Sequence, residues 1–141
     1  MPAKHYILGM CLLSSAGAAQ AQTTCGDGTA QLQAYIVQVN QIANYEYYQG
    51  VGQRCVANYQ CSSYLLMQLQ QWYAYQTNLV NGWYMQLARQ CTTQRPAPIR
   101  TGDVEDPIDE TAVEELEVDD EDKTVVLRIP DNPRGFQPRG R

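Results

Sequence analysis

Four cysteines carry the clearest chemistry in this 141-residue chain. Cys55 and Cys61 bracket the short stretch CVANYQC. Cys25 lies thirty positions before Cys55, and Cys91 thirty positions after Cys61. Such residues can form disulfides, bind a metal or run a redox cycle. The only close pair is spaced C-x5-C, not C-x2-C, and no histidine lies near it. That spacing favours structural disulfides over a zinc or thiol-exchange site, and no metal or cofactor is expected.

The N-terminus supports the same choice. Lys4 and His5 precede a mostly apolar run, Tyr6 to Gly17, too short to span a bilayer. Ala19-Gln20-Ala21 fits the small-x-small pattern of a cleavage site. Residues 1–21 are therefore expected to be a signal peptide and the mature chain to start at Gln22, exported to the periplasm or secreted, with no stable membrane span after cleavage. A lipoprotein reading through Cys11 is disfavoured by bulky Met10 and by the apolar run continuing past the cysteine. Cleavage removes Cys11 and leaves four cysteines, an even number, in an oxidising compartment.

Cleavage also removes His5, the only histidine. Ser-His-Asp and Cys-His chemistry then have no base in the mature chain. From Gln22 to Gln94 the charged residues are Asp27, Glu46, Arg54 and Arg89. The two carboxylates fall near opposite ends of one expected helix and make a poor acid–base pair. The chain is expected not to be an enzyme, with no catalytic residue to nominate.

Two helices must position the cysteines. Leu32, Ile36, Val39 and Ala43, then Tyr47, recur at helical spacing. So do Leu65, Leu69, Trp72, Gln76, Val80, Trp83 and Leu87. Thr29 or Asp27 can cap the first helix, and Gly50 and Gly52 can end it. Asn58 can cap the second, and Arg89 suits its C-terminus.

In an antiparallel pair, residues at one level have position numbers of constant sum. That sum is 116 for Cys25 with Cys91 and for Cys55 with Cys61. Either other pairing joins opposite ends of the hairpin. Thirty helical residues rise about 45 Å, whereas a disulfide needs Cα atoms within about 7 Å. The nested pairing follows. The expected fold is all-α: an antiparallel, coiled-coil-like hairpin over 22–94, stapled by two nested disulfides.

The inward stripe of the second helix takes Leu65, Leu66, Leu69, Trp72, Tyr73, Val80, Trp83 and Leu87. At 100° per residue, Tyr64, Met67, Ala74, Tyr75, Gly82 and Met85 then fall on its back, with Gln71 and Asn78 between them. Ala34, Ile42, Tyr45 and Tyr48 fall away from the first stripe. A lone hairpin needs charged backs, and these carry almost none. Tyr64, Met67, Tyr75, Met85, Tyr45 and Tyr48 are therefore the candidate interaction residues, for a protein partner or for self-association.

Composition changes near Arg95. RPAP leads into an acidic run, Asp103 to Asp122, and then into the tip PDNPRGFQPRGR. Residues 95–141 read as a largely disordered acidic tail. Its β-prone stretch, 124–129, can pair with Leu116 to Val118 or join a partner's sheet. The run lacks the spacing of a preformed calcium loop, and its charge argues against nucleic acid.

Together these features describe a non-enzymatic exported interaction protein, such as a small subunit or accessory factor of a cell-envelope assembly. Two other readings use different surfaces. One is an inhibitor or immunity-type binder whose acidic tail covers a basic enzyme. The other is a surface adhesin that uses the tyrosines.

Overall fold

The hairpin begins where Thr24 caps it. Its Oγ1 accepts from the Asp27 N–H at 3.1 Å, so the expected caps Thr29 and Asp27 lie one turn too late. The computed structural model describes residues 22–99 and 104–140. The expected signal peptide, 1–21, with Cys11, and the first residue of the acidic run, Asp103, lie outside the described residues. The order is β1 (Gln22–Thr24), α1 (Cys25–Tyr45), a π-helical turn (Glu46–Gly50), α2 (Val51–Cys55), α3 (Tyr59–Cys91), α4 (Thr111–Glu114) and β2 (Thr124–Val126).

The glycines do not end the first helix. Tyr45, Gly50 and Val51 all keep right-handed helical dihedrals, and the rod runs on to Cys55. It widens to a π turn around Glu46, whose buried carboxylate forms an ion pair with Arg54. The chain then reverses through Ala57, at φ 59. Asn58 caps α3 as expected, its Oδ1 accepting from the Cys61 N–H at 3.1 Å.

Both disulfides have the nested pairing. Cys25–Cys91 has a Cα separation of 5.9 Å and clamps the open end. Cys55–Cys61 has a separation of 5.4 Å and closes the turn. Two disulfides are consistent with an oxidising, exported environment. Among the described residues no helix is long and apolar enough to cross a membrane.

Leu32, Ile36, Val39 and Ala43 of α1 meet Tyr73, Val80 and Leu87 of α3 in the core, and Leu69 is buried as well. The stripe is shifted slightly from expectation. Tyr35 and Tyr84 are also buried, while Leu66, Trp72 and Trp83 are half-buried. Gln76 is accommodated because its Oε1 accepts from the Tyr35 hydroxyl at 2.6 Å.

The tail departs most from expectation. Its described residues pack along the hairpin, burying Ile99, Ile108, Val113, Leu116, Val125, Leu127, Ile129 and Phe136. Residues 105–114 bond to Gln33, Asn40, Tyr47 and Tyr73 on one flank. The chain next crosses the clamped end. Asp119 N–H donates to Cys91 O at 3.0 Å, and Glu121 O and Lys123 O accept from the Gly26 and Cys25 N–H groups at 3.0 and 2.8 Å. These bonds satisfy donors and an acceptor that helix ends leave open.

β2 then pairs antiparallel with β1, in the register Thr23 to Val125. The β-prone stretch thus pairs with Gln22–Thr24, not with Leu116 to Val118, and among the described residues the fold is mostly helical with one small strand pair. Residues 131–139 return toward the turn, bonding to Gln38, Trp72 and Gln68. Gln38 lies two residues from Asn40, about 200° around the helix, so the two arms of the tail flank the hairpin on opposite sides. The acidic residues hid this packing because their charges face water while the apolar residues between them do not.

Candidate functional site

α3 is thirty-three residues long, and Arg89 is its one charged residue. Such a helix face repels no partner electrostatically. On its outer side Met67 and Tyr75 are 48% and 59% exposed, beside half-buried Tyr64. These three expected site residues line one wall of a groove of about 400 Å³. Trp72 and Phe136 complete it.

Phe136 reaches the groove because the tail ends there. Its ring meets Trp72 edge-on, with centroids 6.3 Å apart, and the Arg54 guanidinium lies 5.8 Å from its centroid. Arg54 is fixed by Glu46, and that hydrogen bond raises the guanidinium pKa further. A cation held over an aromatic face strengthens the seat.

The chain backbone is held as well. Trp72 Nε1–H donates to Arg134 O at 2.9 Å. Gln68 accepts from the Arg139 N–H at 2.8 Å and donates to Arg139 O at 3.3 Å. Gln68 and Trp72 are four residues apart, so they share a face of α3. The groove therefore offers two side chains that grip a non-helical main chain, and an aromatic seat between them.

The remaining expected site residues lie elsewhere. Met85 is half-buried against the core, beside a separate hollow near Arg89 and Pro96. Tyr45 and Tyr48 are 50% and 69% exposed on the first rod, and Tyr48 packs edge-on against Tyr47. Trp72, Gln68 and Phe136 were not expected at the site. Trp72 belongs to the expected inward stripe, and Phe136 to the tip of the tail expected to be largely disordered.

A larger hollow, about 570 Å³, lies between α1 and residues 104–110. Three of its polar side chains, Asn40, Tyr73 and Glu105, already have partners. Asn40 donates to Ile108 O at 3.0 Å and accepts from Ile108 N–H and the Tyr73 hydroxyl. Burial raises the Tyr73 phenol pKa, with nearby Asp106 adding to the rise. Hydrogen bonding to Glu105 does the same for half-buried Tyr47. These bonds tie residues 105–108 to α1 and α3. Among the described residues no cluster of His, Cys, Asp and Glu is arranged to hold a metal.

No protein-family model, curated protein or solved structure matches this chain, so the groove and its flanks are read on their own chemistry.

Proposed function

We propose that this chain is a non-enzymatic exported interaction protein that works through the outer face of α3, as a small subunit or accessory factor in a cell-envelope assembly. The observation that carries this reading is the exposure of Met67 and Tyr75 beside Tyr64 on a helix with a single charge. Covering such side chains removes apolar surface from water at about 25 cal/mol per Å² before association costs. Tyr45 and Tyr48 are exposed separately, on the neighbouring rod.

Replacing Met67 and Tyr75 together with Glu tests the reading. Both side chains point outward, so circular dichroism should be unchanged while self-association or capture of an envelope partner falls in sedimentation or co-purification. Undiminished association with an intact fold would remove this face from the function.

A second reading is favoured by a different observation. Glu114, Glu115, Glu117 and Asp119 to Asp122 are exposed around the clamped end, although the backbone that carries them is packed. An acidic surface of this kind suits a basic partner, as in an inhibitor or immunity-type binder. Ionic strength separates the two. A complex through the acidic end weakens steeply with salt, and a complex through the α3 face does not.

A further inference from the structure

We propose that the groove formed by Tyr64, Met67, Trp72, Tyr75 and Gln68 is a peptide-binding site, and that residues 130–140 of the same chain occupy it as a tethered, displaceable ligand. The partner that takes their place is an extended segment with an aromatic anchor flanked by proline and glycine. The inference deepens the proposed function by naming what the α3 face binds.

The seated tip supplies the argument. Residues 127–140 form no helix or strand. The tip is held by main-chain hydrogen bonds to Trp72 and Gln68, by Phe136 and by buried Pro133. Bonds to the main chain read a non-helical backbone and not a particular side chain. Phe136, only 8% exposed between Trp72 and Arg54, supplies the selective element. Aromatic grooves that bond to the backbone of Pro-containing segments are a recurring mode of peptide recognition.

Two features make the tip displaceable. Arg134, Gly135, Gln137, Arg139 and Gly140 are exposed, so the segment rests on few apolar contacts. It also leaves open the Tyr64, Met67 and Tyr75 side, where about 400 Å³ of groove remains. A partner with a second apolar side chain would fill both sides. No carboxylate lines the groove, so the tip's exposed arginines are not what it reads.

The probe is a fluorescently labelled peptide of residues 130–140, PDNPRGFQPRG, added to full-length chains. In wild type the tethered tip competes at an effective concentration in the millimolar range. Phe136→Ala removes its anchor. Fluorescence anisotropy should show binding to the Phe136→Ala chain at least about tenfold tighter than to wild type. Adding Gln68→Ala and Trp72→Phe should reverse that gain, and a peptide with Phe replaced by Ala should not bind. Excess peptide should also speed hydrogen exchange of the Arg139 amide in the wild-type chain, a readout that needs no variant. Equal affinity for both chains, no binding to Phe136→Ala, or an unchanged Arg139 exchange rate would each overturn the proposal. The Met67→Glu, Tyr75→Glu test is separate. If association falls there but the peptide does not bind, the α3 face has another kind of partner. If the peptide binds but association is unchanged, the groove exists and the assembly role fails.

Discussion

Gly50 sits where a methyl group would need a side chain to move. A Cβ there would run into the Glu46 carboxylate, which is 6% exposed and fixed by Arg54. Helix propensity alone predicts that Gly50→Ala stabilises the chain by about 1 kcal/mol. The geometry predicts the opposite sign. Glu46 must swing away from Arg54 or the π turn must shift, and overpacking of this kind costs about 1–3 kcal/mol. Denaturant unfolding of Gly50→Ala should therefore show a net loss. A gain would mean that the carboxylate moves freely and that the π turn is not built around it. The glycine was legible in the sequence only as a helix stop. Its real role depends on a side chain four residues earlier, which no local propensity reveals.

At the scale of elements, the cysteine spacing made the hairpin legible because a rigid helix converts sequence distance into length. Neither crossed pairing can reach across thirty residues, and both disulfides formed as that geometry requires. The two bonds should differ in weight. In the chain-entropy account, a closed loop of 66 residues stabilises by about 4 kcal/mol, and one of 6 residues by about 2 kcal/mol. Cys25 also contributes its N–H to Lys123 O, and Cys91 its carbonyl to Asp119, so the clamp holds the tail crossing in register. Replacing Cys25 and Cys91 with Ala should lower the thermal midpoint more than replacing Cys55 and Cys61. It should also release hydrogen-exchange protection at Asp119. Equal losses from the two pairs would show that the crossing does not depend on the clamp.

At the scale of the whole molecule, the tail and the hairpin share one core, and this was the least legible part of the sequence. The acidic run reads as solvated because charge dominates its average, yet a buried side chain needs only an apolar position with water on the other side. In 124–129 the alternation is visible in hindsight. Val125, Leu127 and Ile129 are buried, while Thr124, Val126 and Arg128 are exposed. What could not be read was the partner strand, Gln22–Thr24, about a hundred residues away and too short to show a pattern of its own. Leu127 tests whether the packing belongs to the cooperative fold. It is 4% exposed and lies close to Gly28, at a point where α1 also meets Leu87 of α3. Leu127→Ala should cost about 2–5 kcal/mol, seen in the unfolding of the hairpin itself, because its neighbours belong to both helices. A tail that merely rested on a self-sufficient hairpin would give a different result. Truncating one of its side chains would then loosen the tail alone, and the helical transition would keep its midpoint. Far-ultraviolet circular dichroism in denaturant distinguishes the two, since nearly all of its signal comes from α1 and α3. A shifted midpoint places the tail inside the folding unit, where the acidic end and the α3 groove are held at fixed positions on one body.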